Sequence, residues 1–154
     1  MTLRAGKNNH AFSLIELLLV LVLLGLGTYI ALPAVEKGIK TRQARLAALH
    51  LAATARELSS RARIDGVPRQ LTVNLASNSY FAGQHREVQL PPELKLASVE
   101  GGETLSQNIH QFVFFPNGSN LGGRIDLVAD ASSVTYSIRL HPLTGRVEVS
   151  RDGQ

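Results

Sequence analysis

One stretch constrains this chain more than any other. From Leu17 to Leu32 it reads LLLVLVLLGLGTYIAL, sixteen residues without a charge. Taken from Phe12 to Val35 the apolar segment is 24 residues long, and Glu16 is its only charged residue. As a helix it spans roughly 36 Å, enough to cross a ~30 Å hydrocarbon core. A helix buried in a soluble core carries a polar stripe on its outer side, and this one has none. The segment therefore reads as a membrane-embedded helix. A cleaved secretory signal is the competing reading, with Gly25-Leu26-Gly27 as its small-residue site. Against it, the run is longer than the apolar part of such a signal, Glu16 stands near its start, and apolar residues continue to Val35. A retained helix leaves the Glu16 carboxylate in need of a partner, because an acid at membrane depth is costly.

The remainder of the 154 residues is enough for one ordinary domain. The absence of Cys excludes a disulfide framework, a thiolate metal site and a Cys nucleophile. The net charge of +4 is unevenly spread. Residues 36–63 hold seven bases and two acids, whereas residues 64–154 hold seven bases and nine acids. The C-terminal part is slightly acidic, which argues against a basic globular nucleic-acid binder.

Beyond the apolar run the periodicity is helical as far as about residue 64. Ala44, Ala48, Leu51, Ala55, Leu58 and Ala62 fall on one side of a helix; Arg42, Arg45, Arg56 and Arg63 fall on another. This predicts an amphipathic helix over 36–64 with a seam of small residues facing a sheet. Asp65-Gly66-Val67-Pro68 ends it with turn chemistry. Pro33 and Gly38 are the expected bend points. The basic face reads as solvated, or as a contact for acidic neighbours or anionic lipid. From residue 69 the period becomes two. Leu71, Val73 and Leu75 alternate with polar residues, as do Ile125, Leu127 and Ala129, then Val134, Tyr136, Ile138 and Leu140, then Val147 and Val149. Gln111–Phe115 is apolar on both faces and reads as a central strand; Pro91-Pro92 marks an edge or a loop. Turns at Pro116–Gly118, Gly122-Gly123, Asp130–Ser133 and Pro142–Gly145 separate these runs. The expectation is α+β: a long N-terminal helix, half membrane and half amphipathic, packed on one antiparallel meander with a one-sided core.

The residues at the start of the apolar run carry a resemblance. His10-Ala11-Phe12-Ser13-Leu14-Ile15-Glu16 resembles the processing site of type IV prepilins and pseudopilins. In that family a short basic leader ends in a small residue, the mature chain begins with Phe, and its fifth residue is Glu. A cut between Ala11 and Phe12 reproduces both, with Ala11 where the family usually has Gly. Pro33 falls where the family often has a helix-bending Pro. Further along, Phe114–Ser119, Gly122-Gly123, the Arg124–Asp130 strand, Tyr136–Ile138 and Gly145–Val147 resemble the H-type minor pseudopilin domain of the GspH/FimT family; residues 78–110 match least. The resemblance implies a pilin-like fold with a leader at 1–11, a transmembrane helix segment at 12–35, an amphipathic helix at 36–64 and a periplasmic β-rich domain at 65–154. It also implies a prepilin peptidase that removes the leader and N-methylates Phe12, and a role for Glu16 and Pro33 in assembly. The Glu16 carboxylate would pair with the cationic amino terminus of a neighbouring helix. The positive-inside count, Arg4 and Lys7 before the run against Lys37, Lys40, Arg42 and Arg45 after it, does not favour a cytoplasmic N-terminus; the resemblance alone implies that orientation.

Nothing in the sequence assembles a catalytic, metal or cofactor site. His10, His50, His85, His110 and His141 lack metal-ligand spacing, and Gly118-Ser119-Asn120 is not a nucleophile elbow. Asn117-Gly118 reads as a turn, and Asp126 and Asp130 as a solvated strand face. The resemblance therefore implies a structural subunit near the tip of the pseudopilus of a type II secretion system, in the bacterial inner membrane. Its implied partners are the I-, J- and K-type minor pseudopilins, the major pseudopilin and the inner-membrane assembly platform. Retained Glu16 argues against the K-type, in which that acid is typically missing. The alternative is a DNA-binding minor pilin of a type IV pilus. Arg146 and Arg151 are its candidate contacts, and the interleaved Glu148 and Asp152 weaken it. A third reading is a Sec-exported β-rich enzyme or binding domain.

Overall fold

A computed structural model describes residues 13–83, 86–129 and 134–152. Two compact units divide between Glu36 and Lys37. One helix, α1 (Leu14–Asp65), makes up nearly all of the described first unit and opens the second. Its first carbonyl acceptor is Ser13, which takes the amides of Glu16 and Leu17 at 3.0 and 3.1 Å. Ser at this position and an acid in the first turn both suit a helix N-terminus. The helix stops at Gly66, whose φ of +67° is the left-handed conformation of a C-terminal cap, with Pro68 beyond it.

Nine strands follow among the described residues: β1 (Arg69–Asn74), β2 (Ser79–Ala82), β3 (Arg86–Gln89), β4 (Leu94–Gly101), β5 (Glu103–Ser106), β6 (Ile109–Phe114), β7 (Gly123–Ala129), β8 (Val134–Leu140) and β9 (Val147–Asp152). All pairings are antiparallel, as expected. The single meander is not what forms. The strands make a first sheet in the order β3-β2-β1-β6-β5 and a second in the order β4-β7-β8-β9. The chain leaves the first sheet at Pro91-Pro92, returns for β5 and β6, and re-enters the second at Gly123. Asn78 ties the two together: its Nδ2 donates to the Leu94 carbonyl at 2.8 Å, and its Oδ1 accepts the Leu96 amide at 2.9 Å.

One hydrophobic core gathers the inner faces of both sheets against α1. The stripe of Ala44, Ala48, Leu51, Ala55, Leu58 and Ala62 is buried, joined by Ala52. Alanine brings the helix backbone close to the strands, and the larger volumes come from the other side, from Phe112, Phe114, Leu127 and Ile138. In the first sheet β1 is the middle one of the five, and β6 is an interior strand between β1 and the edge strand β5. Strand β6 is not apolar on both faces, however: Phe112 and Phe114 are buried, Val113 is half-buried, and Gln111 faces Gln70 and Thr72 on the outer side. Gly123 sits where no side chain fits. Its φ is +145°, and a Cβ there would strike the Glu100 carbonyl and lie 2.7 Å from the Phe112 ring.

Candidate assembly surfaces

In the first unit every described apolar side chain is exposed. Leu14–Leu32 has a mean hydropathy of 2.4 and none of it is buried within the chain. Leu21 is 60% exposed and Tyr29 82%. The Thr28 hydroxyl donates to the Leu24 carbonyl at 2.8 Å, which satisfies a polar group without needing water. A side chain at Gly25 or Gly27 would meet nothing within 4 Å, so the chain itself gives no packing reason for glycine there. Glu16 is exposed in the first turn of α1, where the helix dipole also favours an anion. That second favourable influence on Glu16 was readable from Ser13-x-x-Glu16, a capping pattern. Ala11 and Phe12, the expected processing pair, lie outside the described residues, as do His10 and His85. Pro33 lies within the continuous helix α1.

In the second unit the polar groups largely serve the fold. Arg56, expected on a solvated basic face, is exposed and also donates to the Val147 carbonyl of β9, Nη2 at 2.9 Å and Nε at 3.3 Å. His50 meets the hydroxyl of buried Tyr80 at 2.7 Å, so a core phenol keeps a partner. Asp126 is not on a freely solvated face. Its side chain is 15% exposed and takes hydrogen bonds from Arg124 (2.7 Å), Ser137 (2.6 Å) and Ser98 (3.0 Å). Burial by itself would raise its pKa. The bonds from Ser137, Arg124 and Ser98, with the charge of Arg124, outweigh that and hold the carboxyl below the ordinary range. Asp130 lies outside the described residues.

At the C-terminal end, Glu148 stands between His141 (3.2 Å) and Arg146 (3.0 Å). The polar contact with the His141 ring first, and then the Arg146 charge, keep its pKa low. Arg146, one of the two candidate phosphate contacts, is thus already paired; Arg151 is exposed. Asn117 accepts the Ser119 amide and hydroxyl in the expected turn, at 3.0 and 2.7 Å. Among the described residues no three His, Cys, Asp or Glu side chains come together as metal ligands do.

Comparison with known proteins bears on these surfaces. Residues 6–32 match the family model of the prokaryotic N-terminal methylation motif. The chain is 29% identical over 139 residues to type II secretion system protein H of Xanthomonas campestris pv. campestris, covering 85% of this chain and 82% of that one. The fold is similar to that of the minor pseudopilin EpsH of the Vibrio cholerae type 2 secretion system, with a TM-score of 0.57 and 12% identity over 73% of this chain and 99% of that one. It is also similar to the type IV minor pilin FimU of Pseudomonas aeruginosa, with a TM-score of 0.50 and 12% identity over 71% and 90% of the two chains. The apolar N-terminal helix and the relative together mark a membrane-anchored protein with a periplasmic domain. Motif, relative and fold point the same way: the chain carries the N-terminal methylation motif, is similar to a type II secretion system protein H, and has a pilin-like fold.

Proposed function

We propose that the chain is an H-type minor pseudopilin, a structural subunit near the tip of a short periplasmic pseudopilus, where it primes assembly and supports export of folded proteins. Before assembly it is held in the inner membrane as a single-pass protein. A prepilin peptidase cuts between Ala11 and Phe12 and methylates the new amino terminus. In the fibre, Glu16 pairs with the amino group of a neighbouring helix, and Pro33 shapes the helix for stacking. The I-, J- and K-type minor pseudopilins, the major pseudopilin and the assembly platform are its partners. The chain is not an enzyme in this reading; its work is contact.

One observation carries the reading. The exposed apolar helix surface of Leu14–Leu32 carries one charge, Glu16, at its N-terminal end, and nothing in that span is buried within the chain itself. An intramembrane carboxylate calls for a partner of opposite charge, and a freshly exposed amino terminus supplies one. Mass spectrometry of the protein extracted from membranes tests the processing. The expected mature chain begins with N-methylated Phe12. An N-terminus at Met1, or at Thr28 after the Gly25-Leu26-Gly27 site, contradicts it.

A further inference from the structure

The flank of α1 overhangs β9, the edge strand of the second sheet. Arg45, Leu49 and Arg56 share this flank, being spaced at helical repeats. Arg56 is tied to Val147 at the start of β9. From Arg56 back to Arg45 the helix rises roughly 16 Å, and from Val147 on to Arg151 the strand advances roughly 13 Å. The two elements run in opposite directions along this edge, so Arg45 and Arg151 arrive at the same level. They line one recess of about 240 Å³ together with Leu49, Tyr136, Val149 and Ser150.

The register of the sheet explains the chemistry of that recess. Arg151 is paired directly with Tyr136 across β8 and β9. Residues directly opposite in an antiparallel pair share a face, and Tyr136 is on the face turned to the core. Arg151 therefore stands on the helix side of the sheet, facing the flank that carries Arg45. Tyr136 is only 3% exposed, yet among the described residues its hydroxyl has no hydrogen-bond partner. Buried phenols nearly always have one. Among the described residues, neither arginine enters a salt bridge. Arg45, Arg151 and Tyr136, with its hydroxyl buried and unsatisfied among the described residues, thus line one recess together with apolar Leu49 and Val149.

We propose that the recess between α1 and β9, formed by Arg45, Arg151 and the Tyr136 hydroxyl, is a docking site for a side-chain carboxylate of a neighbouring pilin-like subunit. The proposal rests on the reading of the chain as a fibre subunit. Guanidinium groups and a phenol hydroxyl are all donors, the complement of a carboxylate. The apolar walls suit the methylene stem of Glu. A nucleic-acid strand fits less well: the recess offers two cations where strand binding draws on many, and Asp152 adjoins Arg151.

The test uses the full chain in detergent micelles, with arginine side-chain Nε–Hε signals followed by NMR. Capped glutamate (N-acetyl-glutamate N-methylamide) is the probe. It is expected to shift the Arg45 and Arg151 signals saturably, while capped glutamine does not. Tyr136→Phe removes one oxygen; it is expected to weaken the probe at least threefold and to leave the melting temperature no lower. Arg45→Gln is expected to weaken it further, and should that variant fail to fold, Tyr136→Phe carries the test alone. No saturable shift, or undiminished binding by Tyr136→Phe, overturns the proposal. Tighter binding of inorganic phosphate or of a 12-nucleotide single strand than of capped glutamate also overturns it, in favour of a nucleic-acid contact. The titration needs no fibre. A chain found unprocessed in the membrane would remove the subunit reading, whereas a processed chain that ignores capped glutamate removes only this site.

Discussion

The two units of this chain use the same apolar residue types in opposite ways. In the first, Leu, Val and Ile face outward on every side of the helix, and none is buried by the chain itself. In the second, Leu51, Leu71, Leu127, Ile138 and Phe112 have no measurable exposure. Apolar burial is the main driving force for folding, so the second unit satisfies itself and the first cannot. Its surface must be covered by lipid or by other helices. The difference teaches where to look for function in a protein whose work is contact. The residues that the fold does not need are the ones available to partners: the leucines of 14–32, Glu16, and Arg45 and Arg151, which enter no salt bridge among the described residues.

Substitutions should separate the units sharply. Phe112→Ala deletes a fully buried ring that also packs against Gly123, and it should cost about 3–5 kcal/mol in urea unfolding of the second unit. Leu21→Ala, equally apolar but exposed, should leave that transition unmoved. A similar loss from both substitutions would break the distinction. Gly123→Ala comes next. A non-glycine residue at φ +145° against the Glu100 carbonyl should cost about 3 kcal/mol, read from the same unfolding curve.

Asp126 sharpens the comparison through pH. Its folded-state pKa is depressed relative to an unfolded value near 3.9. The stabilisation it contributes is therefore complete above that value and fades as the pH falls through the lower folded value. Asp126→Asn should lose about 2 kcal/mol at neutral pH and should show a weaker acid dependence below about pH 4 than the parent chain. An unchanged acid limb would mean that the Ser98–Ser137–Arg124 cluster is not what holds the carboxylate. The smallest effect is expected at Arg56→Met, which gives up the bonds to the Val147 carbonyl but keeps an apolar stem. It should cost about 1 kcal/mol and speed hydrogen exchange at the Val147 end of β9 before other strands.

Much of this was legible in the sequence because it depends on local periodicity. The Ala44–Ala62 seam and the alternation of Ile125, Leu127 and Ala129, or of Val134, Tyr136, Ile138 and Leu140, put the right side chains inside. The apolar run and the Phe12–Glu16 spacing pointed to the family. What escaped depends on pairing between distant segments. Alternation says that a strand has two faces, but not which strand lies beside it, so two sheets read as one meander. Strand β5 is exposed along its whole length and leaves no alternation to detect. Asp126 sat at an outward position in the pattern, and only Ser98 on β4 and Ser137 on β8 make that position a closed polar cluster. The bond that exposed Arg56 also makes was not legible, because its acceptor, the Val147 carbonyl, lies 91 residues away. The recess at Tyr136 likewise needs the register of β8 and β9.

The measurement that bears most directly on the division between the units is Glu16→Ala, expressed from its native locus in a strain lacking the parent gene. Glu16 is exposed in the first turn of α1 and contributes nothing to the core of the second unit. The variant should be cleaved, inserted in the membrane and as resistant to unfolding in its β-rich unit as the parent, and it should lose incorporation into the fibre and lower secretion. Wild-type secretion from Glu16→Ala at native expression would contradict the account.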